Sequence, residues 1–123
     1  MKKITGILVL VLLAGLALAA CSSPAASDFD YRPSSGTQVV RIADILSQPA
    51  QFEGKEVNVK GKISIECGSG CWFIMNDGSG DIYVDLAPSN IVIPQKRGAD
   101  VWVLGEVVTS NGDTYLIGKQ IGF

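Results

Sequence analysis

The chain has 123 residues, with 10 basic and 12 acidic side chains, three cysteines and no histidine. The missing histidine removes the commonest general base, the commonest metal ligand and the usual switch near neutral pH, and no Ser-His-Asp arrangement can be assembled. A net charge of −2 works against the phosphate attraction that supplies most non-specific nucleic-acid affinity.

Residues 1–20 have the layout of a secretory signal peptide: Lys2 and Lys3, an uninterrupted apolar run from Ile7 to Leu18, then small residues. The run falls short of the roughly 20 residues that span a bilayer comfortably, which favours a cleaved signal over a retained anchor. Leu18-Ala19-Ala20-Cys21 resembles the lipobox of bacterial lipoproteins. The resemblance implies that Cys21 becomes the new N-terminus, carries the lipid and holds the chain to a membrane outside the cytoplasm. Ser22 in place of Asp beside the lipid site implies the outer membrane in a Gram-negative cell. Losing Lys2 and Lys3 leaves eight basic against twelve acidic residues, net −4.

Residues 21–37 are rich in Ser, Pro, Ala and Gly and read as a lipidated tether. Its aromatics, Phe29 and Tyr31, are free to dock or to move. Residues 38–123 form the one folded domain. Ile42, Ile45 and Leu46 fall at i, i+3, i+4 and predict a short helix over about 41–48, bounded by Pro49.

Val57, Val59, Gly61, Ile63 and Ile65 then alternate with Asn58, Lys60, Lys62, Ser64 and Glu66. This period of two predicts a long strand with the first set buried and the second wet. Gly61 permits a bulge or a close backbone approach there. Cys71 to Met75 predicts a second strand, and the Asn76-Asp77-Gly78-Ser79-Gly80 turn leads to a third with Ile82, Val84 and Leu86 inward. Ile91-Val92-Ile93 reads as an apolar plug at one end of the core. Gly98 to Ser110 and Thr114 to Ile121 give the fourth and fifth strands around an Asn111-Gly112-Asp113 turn, with Gly105 marking a bend. Five strands in this order suit a small closed all-β barrel.

On these residues the chain resembles an OB-fold, a five-stranded Greek-key barrel. The resemblance is carried by Gly54 to Ile63, by Phe73 to Asp77 with Gly78-Ser79-Gly80, and by Val101 to Val107. The order is similar to that of anticodon-binding-like OB domains and small secreted OB proteins. A nearer likeness is to a family of exported, often lipid-anchored bacterial OB proteins marked by Gly-Cys-Trp, here Gly70-Cys71-Trp72 after Cys67. It implies an extracytoplasmic OB domain and no particular activity. The Pro88–Gly98 segment is too short and too proline-bounded for the helix that OB-folds usually carry there.

Three sets of residues are candidates for chemistry. Cys67 and Cys71 suit a disulfide staple, a redox pair, or soft ligands that with Met75 would favour Cu(I). Asp77, Asp81 and Asp85 lack the EF-hand order and read as turn and surface residues. Lys60, Lys62, Trp72, Phe73 and Tyr83 are the ligand-binding candidates, with either Trp72 or Phe73 outward because strand neighbours point oppositely. The expected function is a non-catalytic, cofactor-free, lipid-anchored module that binds a protein, peptide or small envelope ligand. A single-stranded nucleic-acid binder, with bases stacked on aromatics beside the lysines, and a copper or thiol-redox carrier are the alternatives.

Overall fold

Alternating apolar residues need a closed interior, and the strands of this chain provide it by wrapping onto themselves. The computed structural model describes residues 29–123; the expected signal peptide, the expected lipid site at Cys21 and the expected tether up to residue 28 lie outside them. The strands are β1 (Glu56–Glu66), β2 (Trp72–Asn76), β3 (Asp81–Asp85), β4 (Asp100–Ser110) and β5 (Asp113–Gly122). They close in the order β1-β2-β3-β5-β4, the connectivity of an OB-type barrel. All neighbours are antiparallel except β3 and β5, which run parallel and pair only at Val84↔Leu116 and Asp85↔Ile117. No helix among the described residues is long and apolar enough to cross a membrane.

The interior is filled from every strand: Val59 and Ile63, Phe73 and Met75, Ile82 and Val84, Val101 and Val103, Leu116 and Ile121 are all buried. Leu86 and Ile93 close one end, while Val92 points to solvent. Gly61 faces β2 so closely that an added Cβ would sit 2.6 Å from the Asn76 carbonyl oxygen. Its role is close approach. The register irregularity of β1 falls farther on, between Ile63 and Ile65. A bulge adds one residue and reverses the facing of those beyond it. Ile65, expected inside, is therefore 47% exposed. A second irregularity falls between Leu104 and Gly105 in the β4–β5 ladder, where Lys119 of β5 is the extra residue.

Two short helices precede the barrel: α1 (Ile42–Ser47) and α2 (Pro49–Phe52). Pro49 begins the second helix as well as ending the first, because its missing N–H is unneeded in a first turn. Ile42 and Ile45 are buried, but Leu46 is 41% exposed and does not join them. α1 has no cap of its own. Its first N–H groups are met across the chain, Ile42 by Asp77 Oδ2 at 2.9 Å and Ala43 by Ser79 Oγ at 3.0 Å. Between β3 and β4 there is only a single 3-10 turn, Ala87–Ser89, in keeping with the short, proline-bounded sequence.

Residues 29–32 lie against the barrel. Asp30 bridges to Gly122, and the Phe29 ring packs on Phe123 at 5.5 Å between centroids. The Tyr31 hydroxyl bonds to Asn58 Oδ1, and Arg32 donates to the Phe123 carbonyl. This strap covers Asn58, which alternation had placed on the wet side and which is buried. Burial raises the Tyr31 pKa, assisted by the negative charge of Glu56.

Candidate functional site

The bulge in β1 builds the site. By turning Ile65 outward it sets that residue opposite Ile74 of β2, which in turn lies opposite Tyr83 of β3. Tyr83 meets Tyr115 of β5 edge to face, 6.3 Å between ring centroids. The four side chains form a continuous row across four strands. Trp72 extends it, stacked on Tyr83 at 5.4 Å. Tyr83 is the central ring and stays 37% exposed. Beside it an open groove of about 700 Å³ is lined by Leu46, Tyr83, Tyr115 and the Ser110–Thr114 hairpin turn.

Carboxylates frame this strip. Asp85 lies opposite Trp72 and Asp81 opposite Asn76 on the neighbouring strand, and Asp113 lines the groove. Asp81 accepts from Asn76 Nδ2, and Asp85 accepts the Ala87 N–H. Burial pushes the Tyr83 phenol pKa up, and the Asp85 charge adds to it. Asp77, the third aspartate of the sequence, belongs to the α1 cap. Burial alone would raise its pKa, but bonds from Ser79 Oγ and from the N–H groups of Ile42, Ser79 and Gly80 outweigh that and lower it.

Of the five ligand-binding candidates, the structure brings together Trp72 and Tyr83. Phe73 is a correction: it is fully buried in the core, because its outward neighbour Trp72 fixes the strand's parity. Lys60 and Lys62 belong to a different surface. Lys60 lies over the Trp102 ring at 5.1 Å, and Lys62 bonds Asp100 at 2.8 Å. Lys62 is in register with Asn76, four residues along β2 from Trp72, so the expected basic-aromatic patch does not form. Ile65, Ile74 and Tyr115 were missed as site residues. The alternation pattern assigned Ile65 to the core, and only a bulge reverses it.

The thiols sit at one end of the strip, in the loop joining β1 to β2. Cys67 and Cys71 sulfurs are 2.9 Å apart, with the Cys71 thiol directed at Cys67, and Ser69 Oγ is 3.0 Å from Cys67. Both are free thiols, since a disulfide bond measures roughly 2.0 Å. The Cys67 pKa is lowered to about 6, chiefly by the Cys71 thiol bond and then by Ser69. Gly70 has a positive φ of 75° and its position lies against the Ile93 backbone, leaving no space for a side chain. Gln95 donates to the Cys67 carbonyl at 3.0 Å, and the Ile93 N–H to that of Gly70 at 3.1 Å. Met75, the third soft ligand considered, points into the core and is fully buried. Among the described residues no group of three or more His, Cys, Asp or Glu converges to hold a metal.

No family model matches the chain, and no curated protein does. Solved structures do. A hypothetical protein of Escherichia coli, YgiW, aligns with a TM-score of 0.52 at 24% identity, over 68% of this chain and 87% of its own. A putative aspartyl-tRNA synthetase from Leishmania major Friedlin aligns with a TM-score of 0.50 at 17% identity, over 76% of this chain and 22% of its own. At these identities the likeness is one of fold, and it agrees with the OB-type barrel. A shared barrel says nothing of the ligand.

Proposed function

We propose that the protein is a lipid-anchored, non-catalytic binding module of the bacterial envelope. Its ligand, a protein, peptide or small envelope molecule, occupies the Ile65–Ile74–Tyr83–Tyr115 strip and the adjoining groove. The observation that carries this reading is the strip itself: apolar and aromatic side chains turned outward in a row, on a barrel whose core is filled by others. Contiguous exposed apolar surface marks an interaction site on a soluble domain, and aromatic rings are favoured anchors there. Single-stranded nucleic acid is the weaker alternative, because the lysines lie elsewhere and carboxylates border the rings.

The same reading makes Cys21 the lipid site and Gly70-Cys71-Trp72 a mark of the exported OB family. It also makes Cys67–Cys71 a staple that closes in an oxidising compartment. The short gap between the sulfurs supports the staple. Metabolic labelling with a fatty acid should tag the wild-type protein and not a Cys21→Ser variant; equal labelling defeats the anchor. For the site, a random peptide library panned on wild-type protein should yield sequences that no longer bind Tyr83→Ala. Selected peptides that bind both equally would move the site elsewhere.

A further inference from the structure

The charges around the strip narrow the ligand class. Asp81, Asp85 and Asp113 flank Tyr83 and its neighbours, and none takes part in an ion pair among the described residues, where the two pairs are Lys62–Asp100 and Lys119–Glu106. Several basic side chains of the barrel are already engaged: Lys60 over Trp102, Lys96 over Phe123, and Arg32 on the Tyr31 and Phe123 carbonyls. The strip is thus a ring surface with a negative border. Aromatic faces attract ammonium and guanidinium groups, and the aliphatic stems of Lys and Arg cover apolar neighbours such as Ile65 and Ile74 while the head stays wet.

Its length distinguishes a peptide from a small cation. Three strand spacings separate Ile65 from Tyr115, about 14 Å at the usual interstrand distance, which matches roughly four residues of extended chain. A lone amine would cover one ring and leave the rest bare. We infer that the occupant is an extended peptide segment carrying lysine or arginine side chains. This rests on the binding reading above and adds the sign of the ligand. The backbone lies along the strip, its apolar stems on Ile65, Ile74 and Trp72, and its cationic heads reach Asp85 on one flank of the row and Asp81 and Asp113 on the other.

The test uses Trp102→Phe protein, so that Trp72 is the one remaining tryptophan and its fluorescence reports the site. It is titrated with an octapeptide of alternating lysine and alanine, its glutamate counterpart, and spermine. The lysine peptide should bind, weaken as salt is raised, and outcompete both others. Asp85→Asn and Asp113→Asn should each weaken it about three- to tenfold, Tyr83→Ala should abolish it, and Lys62→Ala should change nothing. These are surface changes, and the asparagines keep an acceptor, so thermal unfolding verifies that each variant folds. Spermine or the glutamate peptide binding as tightly as the lysine peptide overturns the inference. If library-selected peptides still bind through Tyr83, the face itself survives. Absence of every peptide, selected ones included, overturns both.

Discussion

Around β1 and β4 the outward side chains are Lys60, Lys62, Trp102 and Asp100, each in contact with a neighbour, and the strap at Tyr31 seals Asn58 beside them. Around β2, β3 and β5 they are Trp72, Ile74, Tyr83 and Tyr115, half-buried to exposed, with the three rings packed on one another. Both faces share one core and one ladder. What separates them is the charge and shape of alternate residues, plus one bulge that lends Ile65 to the second face. A small barrel can thus quench its cations on one side and keep rings available on the other.

The sharpest way to break this comparison is to cross β2 from outside to inside. Phe73→Ala should cost about 3–5 kcal/mol in urea unfolding, the usual loss for an aromatic removed from a core. Its neighbour Trp72→Ala should cost about 1 kcal/mol, the scale of a surface ring pair, while removing ligand. Equal losses would mean Trp72 is a packing residue. Next in size is the α1 cap: Asp77→Ala should lose about 1–2 kcal/mol at neutral pH. The folded carboxyl pKa lies below its unfolded value of roughly 3.9, so this stabilisation is complete above that value and disappears as pH falls through the folded one. Wild type and variant should converge in acid unfolding; a constant gap would refute the cap.

At the thiol end, alkylation of reduced protein should reach half its maximal rate near pH 6 at Cys67. Cys71→Ala removes the chief donor and should shift that midpoint upward, toward ordinary thiols; an unmoved midpoint would show that Ser69 suffices. After oxidation neither cysteine should react until reduced. The smallest effect belongs to the lysine face. Lys62→Ala breaks a pair whose side chains are about two-thirds exposed, and such pairs contribute little, so Tm should stay put.

The barrel was legible because its signals are local: period-two alternation in β1, turn residues at Asn76–Gly80 and Asn111–Asp113, and glycines where strands crowd. The inward set of β3, Ile82 and Val84 with Leu86, follows directly from such a pattern. Parity itself was fragile. One extra residue at Ser64 moved Ile65 across the sheet, and no composition rule marks a bulge. Long-range pairings were hidden for another reason. Asn58 is polar and sits at a wet position of its strand, yet a tyrosine 27 residues earlier buries it. The lysines were misassigned because facing was considered without distance along the strand; register with Asn76 places Lys62 well away from Trp72.

The strap has a geometric consequence for the anchored state proposed above. With Phe29 already seated against Phe123, only the stretch from Cys21 to Phe29 remains to link lipid and barrel, at most about 28 Å of extended chain. A leash that short confines the domain to a thin shell above the bilayer. Encounters would then be selected by height: partners rooted in the same leaflet, or threads passing close overhead, come within range, whereas anything deeper in the compartment must descend to be met.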